Sequence, residues 1–431
     1  MKLRNAVSAL AIASGLAAIT ASVVTAAVPT PTPGSLQGYN ISATYVAGVS
    51  SGGYMANQLH VAYSGTFKGA GIFTAGPYDC AQDNVSTALE SCMNTHMARK
   101  TPAQLEQETK DRANAGTVDP VSGLSGSKVY LYHGTSDTTV AAAVNDDLAT
   151  YYRDLGANVV YNNSTAAGHS WVSPLGPVSC STTASPFINN CDNDPEHDML
   201  AQLLGNVKPA GASALTGKLI QFDQGQYTGG SAGSISMDDK GFAYVPSSCA
   251  SGTSCTLLVA LHGCKQGYSF SDSNGTIGDT FMKDANLNEY ADTNDIIVLY
   301  PQAITTTGSN PQGCWDWWGY TNNAYAEHNG PQMKAIMSMV TALTTSTPPT
   351  STTTSPTTTT TPPTSTTAPP TSTTPAPICI TDSNYNQTVA GRAHQNLGET
   401  YANGSDQDLG LWNTYNMSSL KQTSPGYWEK C

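Results

Sequence analysis

Three side chains in this sequence have the types and the order that nucleophilic catalysis requires. Ser50 stands in Gly48-Val49-Ser50-Ser51-Gly52, a G-x-S-x-G string. A short apolar run at 41–47 precedes it and a helix-spaced run at 54–63 follows, the strand–turn–helix context that a nucleophile elbow needs. Small residues on both sides of the serine leave room for an abrupt turn, which lifts the hydroxyl clear of the sheet and points the helix N-terminus at a reacting carbonyl. A serine hydroxyl needs a base, and the base needs an orienting group. Asp137 ends the loop Leu131-Tyr-His-Gly-Thr-Ser-Asp137, directly after an apolar run at 129–132. His169 lies in Ala167-Gly168-His169-Ser170-Trp171. His133 shares the Asp137 loop and competes for a supporting role, whereas His60, His96, His197, His328 and His394 lie in helical or polar stretches without such a loop.

A second G-x-S-x-G match, Gly229-Gly230-Ser231-Ala232-Gly233, has no strand before it and reads as a flexible loop. Acyl transfer at Ser50 also calls for backbone donors to an oxyanion. The amide of Ser51 is one. The other is sought where an apolar strand runs into His-Gly, and Leu257-Leu-Val-Ala-Leu-His262-Gly263-Cys264 fits, with the amide of Cys264 as donor. The order serine, aspartate, histidine is that of α/β-hydrolases, but there the oxyanion segment precedes the nucleophile, and here it follows the histidine. Too little chain precedes Ser50 to hold the first half of such a fold. The helical run at 330–343 reads as the element that leads into the nucleophile strand, so the sequence argues for a circular permutation, tolerable where termini lie close together at the surface.

The rest of the chain must position these groups. Alternation of strands at 41–47, 129–132, 257–261 and 296–300 with helical runs, among them 281–294, predicts an α/β fold with a mostly parallel sheet. Lys2 and Arg4, an apolar Ala/Ser-rich run and small residues before Val28 mark residues 1–27 as a secretory signal peptide, and the expected location is extracellular. Residues 28–343 form the expected catalytic domain, 344–377 a Thr/Pro/Ser-rich spacer, and 378–431 a small domain that needs a staple. Ten cysteines in an exported chain suggest disulfides, and nearest-neighbour pairing gives 80–92, 180–191, 249–255, 264–314 and 379–431, although spacing alone leaves the connectivity open. With 11% charged residues and a net charge of −13, the chain is a poor partner for nucleic acid. No apolar run beyond the N-terminus is long enough to span a bilayer. There is no zinc-type motif, the acidic string Cys191–Asp198 reads as a surface loop, and neither metal nor cofactor is expected.

The four strings Gly-Val-Ser50-Ser-Gly-Gly-Tyr-Met, His-Gly-Thr-Ser-Asp137, Gly-His169-Ser-Trp171 and Leu-His-Gly-Cys264-Lys-Gln, in this order and with a Thr-rich spacer and short tail, resemble extracellular poly(3-hydroxybutyrate) depolymerases with a permuted, type 2 catalytic domain. Ser170 departs from the His-Ala-Trp form, where alanine is also small. The resemblance implies Ser50 as nucleophile, His169 as base, Asp137 as its orienter, and the amides of Ser51 and Cys264 as oxyanion hole. It also implies an enzyme that cuts an insoluble polyester to short oligomers and monomers; a monomer is expected. Such a surface is met by apolar and aromatic side chains. Trp171, beside His169, and Trp315, Trp317 and Trp318 are the candidate substrate contacts, and tail aromatics such as Tyr401 and Trp428 candidate adsorbers. An acetyl or feruloyl esterase acting on polysaccharide is the alternative, and an inactive adhesin a third reading against which the intact catalytic strings argue.

Overall fold

The computed structural model describes residues 28–345 and 379–431, apart from 212–213, 274, 397–398, 412–415 and 425–426, and gives the backbone alone at 385, 386, 389 and 396. The leader expected over 1–27 and nearly all of the spacer expected over 344–377 lie outside the described residues. Contacts divide the chain into two compact units, Met1–Pro348 and Pro349–Cys431.

In the first unit one sheet holds β1 (Thr32–Pro33), β2 (Ile41–Val49), β3 (Phe67–Phe73), β4 (Lys128–Tyr132), β5 (Asn158–Asn162), β6 (Lys218–Asp223), β7 (Lys240–Val245), β8 (Cys255–Leu261) and β9 (Ile296–Tyr300). Their spatial order is β1-β6-β7-β9-β8-β2-β3-β4-β5. β7 runs against both its neighbours, and the remaining junctions are parallel. Strands covered on both sides must be apolar on both, and successive side chains alternate between two cores. Val46, Leu257, Val259 and Leu299 enter one, with α1 (Ser51–Ala62), α2 (Pro102–Ala115), α3 (Ala142–Asp154) and a late helix (Pro331–Thr344) laid over it. Ala47, Val49, Leu258 and Val298 enter the other, beneath α4 (Pro195–Leu204) and the pair α5 (Thr280–Asp284) and α6 (Leu287–Asn294).

This is an α/β-hydrolase sheet entered at a permuted point. The late helix, α7, ends against the residues that lead into β2: the Tyr39 amide donates to the Leu343 carbonyl at 2.8 Å. The helix that leads into β2 in space therefore comes last in the sequence of this unit, and β6–β9 supply the half of the sheet that precedes β2.

Two local expectations are corrected. The helical run at 281–294 breaks into α5 and α6 because Asn286 takes a left-handed backbone, φ 56°. The break frees two carbonyls from the helix ladder: Asp284 accepts from the Ser173 hydroxyl at 2.6 Å and Ala285 from Trp171 Nε1 at 3.3 Å. Cys191–Asp198 is a helix start rather than a surface loop. Asp194 Oδ1 caps the His197 amide at 3.0 Å, Pro195 opens α4, and Glu196 is wholly buried, which pushes its carboxyl well above the usual range. Among the described residues no cluster of His, Cys, Asp or Glu could hold a metal ion, and no helix is long and apolar enough to cross a membrane.

The second unit, too small for an extensive core, pairs Ile380–Ser383, Met417–Ser424 and Tyr427–Lys430 in one antiparallel sheet and Ala393–Asn396, Glu399–Ala402 and Asp408–Leu411 in another. Its buried apolar side chains are Ala393, Ala402, Leu409 and Leu420, with Trp428 partly buried against them. Buried amides replace hydrophobic area: Asn384 Nδ2 donates to the Leu409 carbonyl at 2.8 Å, and Gln387 Nε2 to that of Ser418 at 2.8 Å. The Cys379–Cys431 disulfide ties the unit's ends together. The other four cysteine pairs are bonded as nearest neighbours.

Candidate active site

β2 ends at Val49 and α1 begins at Ser51, so Ser50 alone makes the turn. Its backbone is left-handed, φ 56° and ψ −123°, a conformation that costs an L-residue about 1–3 kcal/mol. Two bonds hold it there: the Ser50 amide donates to Phe73 O at 2.9 Å, and the Ser50 carbonyl accepts from the Tyr54 amide at 2.9 Å. The flanking glycines are required by contact. A Cβ on Gly48 would lie 2.2 Å from Gly52 O, and one on Gly52 would lie 2.3 Å from Leu261 O and 2.4 Å from His262 O. The bare backbone of Gly52 is thus what admits the end of β8 against the elbow.

Asp137 and His169, predicted from separate loops, meet. His169 Nδ1 donates to Asp137 Oδ2 at 2.8 Å, while Asp137 Oδ1 accepts from the amides of Thr139 at 2.8 Å and Val140 at 3.0 Å. Burial alone would raise this carboxyl. The hydrogen bond and charge of His169, with the two amides, outweigh it and hold Asp137 below the usual carboxylate range. His169 is fixed through its backbone as well, its amide donating to Thr183 Oγ1 at 2.9 Å inside the loop closed by Cys180–Cys191. Nδ1 being committed, Nε2 is left to handle a proton. His133 does not compete: its Nε2–H donates to Val140 O at 2.9 Å and stands 4.0 Å from Asp137, bracing the loop.

Ser50, His169 and Cys264 line one cavity of about 360 Å³, together with Ser170, Phe187, Gln266 and Gln312. Ser50 and Cys264 also line an adjoining cavity of about 400 Å³ whose wall is largely apolar: Tyr54, Val85, Leu89, Met93, Val140, Trp317 and Trp318. The serine therefore sits where two arms of a crevice meet. Such a site can hold an ester with its acyl part along one arm and its alcohol along the other. Ser51 opens α1, whose N-terminus favours negative charge, and its hydroxyl accepts from the Trp315 amide at 3.3 Å. Cys264 is joined to Cys314, which binds the segment after β8 to the tryptophan loop.

The four predicted tryptophans separate. Trp171 is fully buried, stacked on Phe73 at 4.2 Å, and Trp315 is fully buried with Nε1 donating to His262 O at 3.0 Å. Neither lines the crevice; both are core, because their indole N–H groups find backbone carbonyls inside. Trp317 and Trp318 do line it, with Trp317 stacked on Tyr54 at 4.0 Å. The wall at 85–93 was not anticipated. A single π-helical turn, Ala88–Met93, carries it, closed by Cys80–Cys92 and tied to α1 by the Tyr54 hydroxyl on Cys92 O. The available signal was Tyr54-Met55 just after the elbow glycines, a large ring at a helix start with a nearby loop to brace.

Fold and site together define an α/β-hydrolase, and a family model described as the prolyl oligopeptidase family matches residues 37–191. The chain is 36% identical to the poly(3-hydroxybutyrate) depolymerase of Delftia acidovorans over 464 aligned positions, 89% of this chain and 91% of that one. It is 39% identical to the polyhydroxybutyrate depolymerase of Talaromyces funiculosus over 70% of this chain and 89% of that one. Its structure matches that of the PHB depolymerase from Penicillium funiculosum with a TM-score of 0.65 at 36% identity, covering 72% of this chain and 99% of the other. A PHB depolymerase complexed with R3HB trimer matches equally well, with a TM-score of 0.65. The chain belongs to the poly(3-hydroxybutyrate) depolymerase family.

Proposed function

We propose that this chain is a secreted serine esterase that hydrolyses the ester bonds of poly(3-hydroxybutyrate), an insoluble polyester, to short oligomers and monomers, working as a monomer. Ser50 Oγ attacks the ester carbonyl while His169 Nε2 takes its proton. Asp137 holds the imidazole in the required tautomer and stabilises the imidazolium. The oxyanion is received by the amides of Ser51 and Cys264, and His169 returns the proton to the leaving alcohol. Water then repeats the sequence on the acyl-enzyme.

The observation that carries this reading is the convergence of the Ser50 elbow, the hydrogen-bonded His169–Asp137 pair and Cys264 on one crevice. Its apolar wall, with Trp317 and Trp318, suits an aliphatic chain better than a sugar. Residues 28–343 are the proposed catalytic domain and 378–431 the proposed polymer-binding domain. Through the spacer at 344–377 that domain raises the local concentration of ester bonds without new chemistry.

The test is turbidity loss of a poly(3-hydroxybutyrate) granule suspension, wild type beside Ser50→Ala. Clearing by wild type alone is expected. Clearing by both would remove Ser50 as nucleophile, and clearing by neither, with a short soluble ester still cleaved, would move the substrate to another ester.

A further inference from the structure

The two arms that meet at Ser50 differ in charge. Among the described residues no Asp, Glu, Lys, Arg or His lines the apolar arm. The other arm holds His169 and one further ionisable side chain, Lys265. Cys264 and Gln312 border both, so the difference lies within a single crevice.

Lys265 is half-buried, yet among the described residues nothing forms an ion pair or a hydrogen bond with its ammonium. Its stem can lie along apolar surface, but the ammonium still has three donors to place. The neighbours fix where the side chain starts. The backbone at 265 is left-handed, φ 62°, a conformation uncommon in an L-residue. The Lys265 amide donates to Gln312 O at 2.8 Å, and Cys264 before it is bonded to Cys314. Gln266 after it donates through Nε2 to Pro186 O at 2.8 Å. A rigid base therefore presents this cation.

Poly(3-hydroxybutyrate) has a direction, with a hydroxyl at one end of the chain and a carboxyl at the other. At any ester bond the acyl part runs toward the hydroxyl end and the alcohol part toward the carboxyl end. When that bond breaks, the acyl carbon passes to Ser50 Oγ, and the departing alcohol oxygen takes the proton held by His169 Nε2. The alcohol part must then lie along the arm that holds His169, which is also the arm of Lys265. A carboxyl end is ionised at neutral pH, so it arrives as an anion where the crevice has its cation. The uncharged arm is left for the acyl part.

We propose that Lys265 is a carboxylate-binding residue: its ammonium receives the free carboxyl end of a short hydroxyalkanoate oligomer whose alcohol part lies beside His169, and so directs cleavage to ester bonds near that end, releasing short hydroxy acids. This rests on the roles given to Ser50 and His169 above. In the middle of a long chain the same position meets a neutral ester carbonyl, a weaker partner for an ammonium. The arrangement favours soluble oligomers left by earlier cuts.

The experiment measures kcat/KM of the full chain on the (R)-3-hydroxybutyrate trimer as free acid and as methyl ester, which differ at the carboxyl end alone. The readout is the ratio of the two. Lys265→Met keeps the length of the stem and removes the charge, whereas Lys265→Arg keeps the charge. Lys265→Met is expected to lower the free-acid to methyl-ester ratio about 3- to 10-fold, between the effect of an exposed ion pair and that of a buried charged hydrogen bond. Lys265→Arg is expected to stay within about twofold of wild type. An unchanged ratio in Lys265→Met, through equal losses on both substrates or through none, overturns the proposal. So does a ratio in Lys265→Arg as low as that in Lys265→Met. Salt gives a second test that needs no variant to fold. The net charge of −13 repels an anionic substrate, so screening of that field alone would raise the wild-type ratio between about 20 mM and about 500 mM NaCl. A local pair with Lys265 makes the ratio fall instead, and a ratio that rises or stays level overturns the proposal. Granule clearing judges the polyester reading apart. Clearing beside an unchanged trimer ratio in Lys265→Met keeps that reading and overturns this proposal alone; no clearing and no cleavage of either trimer by wild type removes both.

Discussion

Two stretches of this chain carry the same five-residue pattern and share almost nothing else. At 48–52 the serine is the whole turn between a buried strand and a buried helix, with φ 56°. At 229–233 Ser231 is exposed, has an ordinary φ of −75°, and precedes one short 3₁₀ turn. The glycines differ most. Gly52 is pressed against the carbonyls of Leu261, the last residue of β8, and of His262 just after it, whereas a Cβ on Gly230 would meet nothing within 4 Å and one on Gly233 only Ser231 Oγ at 3.7 Å. The pattern has meaning only where the surrounding backbone presses so close that no Cβ fits beside the turn. The second stretch, expected to be a flexible loop, links two 3₁₀ turns, Gln224–Tyr227 and Ala232–Ile235, with local bonds such as Ser234 Oγ to Ser231 O at 2.7 Å.

Substitutions at the two stretches test that difference. Ser50→Ala should remove all measurable hydrolysis of soluble ester and granules alike, and Ser231→Ala should leave both rates unchanged; the reverse would exchange the two stretches. Asp137→Asn should lower kcat by about 10⁴ at neutral pH with the fold intact, since an amide leaves His169 in the wrong tautomer. Gly52→Ala should lower stability by about 3 kcal/mol or more in denaturant unfolding, because backbone on both sides must move, while Gly233→Ala stays near wild type.

Smaller effects sharpen the account of the site. Trp318→Ala should raise KM for a hydroxybutyrate trimer about 3- to 10-fold and leave a short soluble ester within about twofold. Trp171→Phe should lower Tm and leave both KM values alone. The lowered carboxyl of Asp137 gives the smallest effect. A depressed acid stabilises the fold fully above its unfolded pKa of about 4 and loses that contribution as pH falls through its lower folded value. The Tm gap between wild type and Asp137→Asn should therefore be widest near neutral pH and shrink below about pH 4.

Much of this was legible because it is local or ordinal. The Ser50 elbow, the loops that bring Asp137 and His169 together and the strand at 257–261 each carry their own short signal, and their order along the chain implied the permuted connection that the Tyr39–Leu343 bond makes visible. The strand positions at 296–300 and 257–261 could be read because apolar runs buried on both faces leave no polar alternation. Apart from the helix start at Asp194-Pro195, whose signal was local, what failed depended on neighbours distant in sequence. Nothing in the run 281–294 foretells that Ser173 and Trp171 will claim its carbonyls, and nothing in Cys-Trp-Asp-Trp-Trp says which indole finds a buried acceptor.

By itself, then, the sequence determined the class of chemistry and the point at which the fold is permuted, and it nominated the residues proposed to perform that chemistry. A nucleophile elbow, a loop histidine and a cysteine spaced for a staple are constrained by bonds among near neighbours. Only the tertiary structure decided which aromatic rings are core and which are wall, and that a π-helical turn at 88–93 closes one arm of the crevice. Those outcomes depend on which donor meets which acceptor across gaps of tens to hundreds of residues. Burial makes each such pairing costly to leave unmade, so packing rather than local preference selects it.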